Sequence, residues 1–444
     1  MAKMEHFASR RATSRWLLVS SMILSAVASR AHGSLLGDAG ARALSVALGG
    51  YPKFTGRFSP LPGPRPVSFR RTRLGEDGCE AQILYPSKGG TGSRRGRYAR
   101  REVPSGLADY SSMPRFLYRP LSARRHPCPE GGDLAEDARD GNPLPLVVFS
   151  HGLGGCAEMY TGLCASLASY GFVVVAIEHR DGSGCFARTV DGEFLPYRKY
   201  DGPKISPSNF TRELLVDYRA PFLRQRVDEV VQSIRHLMDE EGDVLGGVDK
   251  SRVHLLGHSF GAATMTLVAQ QLEEDKRAGS DVDTAEIGTV ALLDPWLTPL
   301  EDQALDKGVS RPLLHVLSRS WCEGPEFDAT VRLTQAGLPN GHPAALYAAR
   351  RAQHASFSDA PNFFPGFLTK KVGVRGKDEP LYATHGAVAS LVGAAMRGED
   401  IFGRKPGSDA RRTMPTPEDA DLMQALELLD LENIPTGESL VATR

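Results

Sequence analysis

Apolar residues cluster in short runs through the middle of the chain, interrupted only by His254, Thr289 and His315. Residues 146–149, 172–177, 253–256, 288–293 and 313–317 are such runs, rich in Val, Leu, Ile and Ala. Runs this short, without polar alternation, predict strands buried on both faces of a parallel sheet. An earlier strand is expected at 81–85, stopped by Pro86, and a weaker one shortly before His354. Between the strands the spacing turns helical. Residues 159–169 and 387–396 read as helices, and Leu223, Val227, Val230, Val231, Ile234, Leu237 and Met238 mark one face of another. Strands alternating with helices predict a mostly parallel central sheet with helices on both faces.

Other stretches break this rhythm. Residues 88–143 are rich in Gly, Arg, Ser and Pro and read as a loop-rich insertion over the surface. Residues 178–222 separate a strand from the next helical face, a gap long enough to be functional. Phe194, Leu195, Tyr197, Tyr200, Phe210 and Tyr218 lie there and suit either an acyl pocket or cap, or packing against the core. A catalytic domain is expected over 50–400, followed by an extension at 401–444. Thr416 and Pro417 open a short helix in that extension, running to about residue 431.

Arg10, Arg11 and Arg15 precede an apolar run at 16–28 that ends in Ala26-Val27-Ala28. This layout over 1–31 predicts a secretory signal and hence a secreted protein. An organelle transit peptide or a membrane-associated location is the alternative. The run is too short to span a bilayer. Asn209-Phe210-Thr211 would be a glycosylation acceptor on a secreted chain.

Composition narrows the function class. Hydrophobic content of 41% and charged content of 24% suit an ordinary globular protein. Lys plus Arg and Asp plus Glu stand at 53 each, so no overall field points to nucleic acid as a partner. Nine arginines crowd 94–125, which suits a solvated surface loop or a patch for anionic lipid. The six cysteines are scattered without metal-ligand spacing, and neither a metal nor a cofactor is expected.

The candidate chemistry centres on Gly257-His258-Ser259-Phe260-Gly261, between a predicted strand and a helical pattern. A Gly-x-Ser-x-Gly at a strand–helix junction is the nucleophile elbow, whose sharp turn exposes the serine hydroxyl. Ser259 then needs a histidine base and a carboxylate to orient it, supplied by loops after later strands. Asp294 ends the predicted strand 288–293 and is the candidate acid. His315, His342, His354 and His385 all follow the elbow. His315 falls inside a strand, His342 in a turn and His385 at a helix start, whereas His354 lies in a loop, the better setting for a base. The Phe260 amide is one oxyanion donor. The second is expected from the loop Ser150-His151-Gly152-Leu153-Gly154-Gly155, at the Leu153 amide.

Four motifs carry a resemblance. They are Val-Val-Phe-Ser-His-Gly-Leu-Gly-Gly (147–155), Glu-His-Arg-Asp (178–181) after an apolar strand, Gly-His-Ser-Phe-Gly-Ala-Ala-Thr (257–264) and Leu-Asp-Pro-Trp (293–296). Together the chain resembles the platelet-activating-factor acetylhydrolases of the plasma and type II intracellular group, over roughly residues 75–395. The resemblance implies an α/β-hydrolase fold and a calcium-independent serine esterase. Its substrates would be phospholipids with acetyl, short or oxidised sn-2 acyl groups. It also implies Ser259 as nucleophile, Asp294 as acid and Leu153 and Phe260 as oxyanion donors. His354 is implied as base, because His-Ala-Ser-Phe-Ser-Asp (354–359) matches the family's His-x-x-Phe-x-Asp. The Cys156-Ala-Glu stretch and residues 92–140 depart from the family pattern. Two alternatives keep the fold. One is a related carboxylesterase, chlorophyllase- or cutinase-like, and the other is a binding protein without catalysis, against which the full set of site residues argues. Aromatic residues followed by lysines at 361–371 suggest peripheral contact with a membrane or lipoprotein surface, or else phenylalanines packed under the sheet edge.

Overall fold

The computed structural model describes residues 60–89, 96–139, 141–201, 211–239, 245–279, 286–363 and 383–399. It also describes Phe58, Gly373, Val374, Gly376, Ile401 and residues 426–429. The expected signal segment 1–31, Asn209-Phe210, residues 364–371 and most of the C-terminal extension lie outside the described residues.

Among the described residues nine strands form the main sheet, in the order β1-β2-β4-β3-β7-β8-β9-β10-β11. They are β1 (Val67–Arg73), β2 (Glu80–Pro86), β3 (Leu144–Ser150), β4 (Val173–Ile177), β7 (Val248–His258), β8 (Glu286–Leu293), β9 (Leu313–Ser318), β10 (Ala344–Ala349) and β11 (Glu427–Leu429). From β4 through β10 every pairing is parallel. β1, β2 and β11 pair antiparallel at the margins. A two-stranded ribbon, β5 (Ala187–Arg188) with β6 (Phe194–Leu195), stands apart. This is the α/β-hydrolase architecture that the alternation of strands and helices predicts.

The principal helices are α1 (Val103–Ser111), α2 (Thr161–Ser169), α3 (Arg212–Met238), α4 (Phe260–Arg277), α5 (Glu326–Gly337) and α6 (Ala383–Met396). Successive strand residues face opposite sides, so each buried strand feeds two cores. Val147, Phe149, Val174, Ala176, Leu256 and Leu293 pack with α2 and α6 on one face. Leu146, Val148, Val175, Leu255, Val290 and Leu292 pack with α3 and α4 on the other. That double burial is why these segments are mainly apolar rather than alternating.

Several expectations need correction. The insertion 88–143 is not a set of surface loops. It holds α1, and Tyr98, Val103, Leu107, Leu121 and Cys128 are buried in the core with α2 and α6. Its arginines are not all solvated either. Arg100 turns inward to ion-pair with Glu80, Glu158 and Glu178, while Arg124 lies over the Phe58 and Tyr98 rings. Helix α3 begins at Arg212, well before the predicted face at Leu223. The Thr211 side chain caps it by accepting from the Leu214 amide at 3.2 Å. Charged residues and Pro221 mask the apolar period in its first turns. Glu427–Leu429 is an edge strand on β10, not the end of a helix, because it completes the open side of β10 by antiparallel pairing. Phe363 is buried, edge to face with Tyr98 at 6.2 Å. It therefore packs as core and is not available to a membrane.

Candidate active site

The elbow is built by the close crossing of β7 and α4. A Cβ at Gly261 would sit 2.1 Å from the Ser150 carbonyl oxygen, so only glycine lets the start of α4 pass over the end of β3. Ser259 is held at φ 56°, ψ −119°, a conformation rarely adopted by a residue with a side chain. Its backbone is fixed from both sides: its amide donates to the Leu293 carbonyl at 2.9 Å and its carbonyl accepts from the Trp296 amide at 3.1 Å. Strain held at one residue by such surroundings is a mark of functional sites.

Around this turn the structure brings together three residues far apart in sequence. The Ser259 hydroxyl lies 3.0 Å from His354 Nε2, and His354 Nδ1 lies 3.0 Å from Asp294 Oδ2. With a carboxylate on the Nδ1 side, Nδ1 carries the proton and Nε2 is left to accept from the serine. Asp294 is fully buried at φ 40° and accepts from the Ser318 amide and the Ser318 hydroxyl, each at 2.5 Å. Burial pushes the Asp294 carboxyl up to about 7, and the two Ser318 donors act against that rise. Burial likewise lowers the His354 pKa, so its imidazole is a neutral base at physiological pH.

His354 opens a short turn of helix after β10 (His354–Phe357), and the residues behind it hold it in place. Gln353 and Ser356 form a reciprocal cap, with the Gln353 amide donating to the Ser356 hydroxyl at 3.0 Å. Trp321 lies flat on the imidazole at 3.9 Å with 6° between planes, and its indole donates to the Pro295 carbonyl at 2.9 Å. Phe357 is fully buried. Asp359 accepts from the Tyr98 hydroxyl at 2.8 Å and from the Gly162 amide at 3.1 Å. The aromatic and acidic positions of His-x-x-Phe-x-Asp thus anchor the histidine loop to the start of α2. Of the other candidates, His315 is buried within β9, and His385 lies inside α6 bonded to the Ser358 carbonyl at 3.1 Å. His342 sits in the turn before β10. None of these three bonds to Ser259 or Asp294.

The loop after β3 approaches the elbow from the far side. Among the described residues neither the Leu153 nor the Phe260 amide has an intramolecular acceptor. Tyr160 ties this loop to the elbow: its hydroxyl accepts from the Gly152 amide at 3.1 Å and donates to His258 Nδ1 at 2.8 Å. Beneath the loop, Glu-His-Arg-Asp (178–181) forms a buried polar frame with α3. His179 Nε2 meets the Ser150 hydroxyl at 2.8 Å and its Nδ1 meets Glu229 at 2.9 Å. Arg226 bonds Asp181 at 3.0 Å, the His151 carbonyl at 2.7 Å and the Ser183 hydroxyl at 2.7 Å. Sequence patterns did not point to Ser318, Trp321, Tyr160 or Arg226, because each acts on a partner remote in sequence and none belongs to a catalytic residue type in a motif.

Among the described residues, two clusters could offer ligand atoms to a metal: His258 with Asp294 and His354, and Cys156 with Glu158 and Glu178. In the first, His354 and Asp294 are already bonded to each other, and in the second Arg100 ion-pairs with both glutamates. Neither is an open cation site. A neutral imidazole between a buried carboxyl and the Ser259 hydroxyl can activate that hydroxyl against a carbonyl, and amides without intramolecular acceptors can hold the resulting oxyanion.

Comparison with known proteins identifies the family. The model of the family "Platelet-activating factor acetylhydrolase, isoform II" matches residues 78–393. A platelet-activating factor acetylhydrolase of Canis lupus familiaris is 27% identical over 333 residues, covering 71% of this chain and 70% of its own length. Its counterpart in Cavia porcellus is 31% identical over 201 residues, which span 40% of this chain and 41% of that protein. Among solved structures, a ferulic acid esterase from Streptomyces cinnamoneus superposes with a TM-score of 0.53 at 20% identity, covering 84% of this chain and 99% of its own, a likeness of fold alone. With most of its length matched, the chain belongs to the platelet-activating factor acetylhydrolase isoform II family of ester hydrolases.

Proposed function

We propose that the protein is a serine esterase that removes acetyl, short or oxidised acyl groups from the sn-2 position of glycerophospholipids by way of an acyl-enzyme. The observation that carries this is the continuous hydrogen-bonded line Ser259–His354–Asp294, at 3.0 and 3.0 Å, at the tip of a strained elbow. The family's name supplies the substrate class.

In this scheme His354 Nε2 takes the Ser259 proton as the hydroxyl oxygen attacks the ester carbonyl. Asp294 keeps the imidazole in the right tautomer and stabilises the imidazolium that forms. The Leu153 and Phe260 amides receive the developing oxyanion. The tetrahedral intermediate collapses with His354 returning its proton to the lysophospholipid oxygen, leaving acyl-Ser259. Water, deprotonated by His354, then attacks the acyl carbonyl and frees the acid. No step needs a metal ion.

The test pairs an active-site-directed fluorophosphonate with hydrolysis assays on acetyl-, oxidised- and long-chain phosphatidylcholines and a water-soluble ester. Labelling and turnover should both vanish in Ser259→Ala, with losses of about 10⁴- to 10⁶-fold. Turnover within tenfold of wild type in that variant would remove the serine mechanism. Faster cleavage of long-chain than of acetyl or oxidised phospholipid would remove the substrate class.

A further inference from the structure

Two arginines on α3 are both buried and treated in opposite ways. Arg226 is fully enclosed and its guanidinium is satisfied by Asp181, the His151 carbonyl and Ser183. Arg219, nearer the helix start, is 5% exposed, and its Nε and Nη1 have no hydrogen-bond partner. A guanidinium withdrawn from water without an acceptor is unfavourable, and aromatic faces compensate only in part because they supply no lone pair for the N–H groups.

Its surroundings are aromatic. The guanidinium carbon lies 4.8 Å from the Tyr218 ring centre, 5.3 Å from Phe222, and 5.8 Å from each of Phe260 and Trp296. The Tyr218 hydroxyl is likewise without a partner. Two of these rings lead straight to the nucleophile: Phe260 follows Ser259 in the chain, and the Trp296 amide donates to the Ser259 carbonyl at 3.1 Å. Burial pushes the Tyr110 hydroxyl up, and the Arg219 charge is near enough to oppose that rise. The Tyr110 ring is packed so tightly on the oxyanion loop that a Cβ at Gly154 would lie 2.2 Å from it. Arg219 therefore stands against the two aromatic residues that adjoin the nucleophile, with Tyr110 within range of its charge.

We infer that Arg219 is a specificity-determining residue that receives an anionic oxygen group of the ester substrate. The inference rests on the esterase function proposed above and adds what that site selects. A planar guanidinium with unpaired N–H groups matches the paired oxygens of a carboxylate or phosphate. A glycerophospholipid offers such oxygens in two places. One is the phosphodiester on the leaving-group side, and the other is a carboxylate ending a truncated, oxidised acyl chain. A neutral ester offers neither.

The test measures kcat/KM of the full chain, wild type, Arg219→Met and Arg219→Lys, on three esters. p-Nitrophenyl butyrate is neutral, mono-p-nitrophenyl glutarate carries a carboxylate on the acyl side, and an alkyl-acetyl-glycerophosphocholine carries the phosphodiester on the leaving side. The ratio of an anionic ester to the neutral one is internal to each protein, so a general loss of folded enzyme cancels. That ratio should fall roughly ten- to hundredfold in Arg219→Met for one of the two anionic esters and recover in part in Arg219→Lys. The ester that responds identifies the side. Ratios equal in all three proteins overturn the inference. If the wild type cleaves none of the three esters, it is the esterase function that fails. Calorimetry with glycerophosphocholine and with glutarate then decides the anion site. Weaker binding of either in Arg219→Met supports it, and equal or absent binding rejects it.

Discussion

Ser318→Ala isolates what the hydroxyl behind Asp294 does. The Ser318 hydroxyl and amide each reach the carboxylate at 2.5 Å, and removing the side chain deletes one of the two while the amide stays. A hydrogen bond to an ionised acceptor contributes about 1.5–3 kcal/mol, and one pKa unit corresponds to about 1.4 kcal/mol. The ionised carboxylate should therefore lose about one unit of stabilisation. Burial already holds Asp294 up at about 7, so the sign is fixed. The working state has Asp294 ionised and His354 neutral, is present above that pKa, and is lost as pH falls through it. In wild type kcat/KM should rise through a midpoint near 7, a property of the Asp294–His354 pair rather than of either residue alone. In Ser318→Ala the midpoint should move to higher pH by about one unit. Activity would then drop several-fold at neutral pH and recover at alkaline pH. The assay is initial rates on a water-soluble ester across the pH range, with circular dichroism to confirm folding. A midpoint unchanged from wild type, with the alkaline plateau lowered instead, would refute the electrostatic role of Ser318.

Two further outcomes follow from the packing. His354→Ala should abolish ester hydrolysis as fully as Ser259→Ala, and the double variant should be little worse than either, because they act as one unit. His385→Ala, whose ring serves the Ser358 carbonyl, should retain most activity, and the reverse pattern would reassign the base. Phe363→Ser should lower the thermal midpoint and reduce soluble-ester and vesicle hydrolysis together, since a buried phenylalanine lost is worth about 3–5 kcal/mol. A normal melting temperature with only vesicle hydrolysis impaired would show that the ring works at a membrane instead.

What the sequence made legible was what burial on both faces writes into it. β3, β4, β8 and β9 were recognisable because nearly every residue is apolar when helices cover both sides. β1 was not, because it is an edge strand whose arginines Arg70, Arg71 and Arg73 disguise it. α1 and the first turns of α3 were hidden by Gly, Pro and charge. The serine and the acid could be read from strand ends. The proposed base could not be chosen from position alone, since four histidines follow the elbow, and it was the likeness to the family's His-x-x-Phe-x-Asp that singled out His354. The structure gives that spacing a physical meaning, an aromatic plug and a carboxylate latch onto α2. Arg219 and Ser318 left no signal, because their importance lies in what they do or do not touch across the fold.

The same reasoning explains why Glu-His-Arg-Asp, so prominent in the family likeness, sits beneath the chemistry rather than in it. An oxyanion donor is useful only if its N–H remains unsatisfied within the protein and points at a fixed place. Apolar packing alone fixes such a loop poorly, since it is not directional. Directional bonds to the neighbouring peptides do it better: Arg226 on the His151 carbonyl, Ser183 on the Gly154 amide through its carbonyl at 2.7 Å, and Tyr160 on the Gly152 amide. These bonds use up the peptide groups on either side of Leu153 and leave its amide free. Burying so many polar groups is tolerable because His179, Asp181, Ser183, Arg226 and Glu229 satisfy one another. The frame is then a positioning device whose cost is offset internally. In the same helix Arg219 and its neighbour Tyr218 depart from that internal satisfaction, and Arg219 does so where a substrate would supply the missing acceptor.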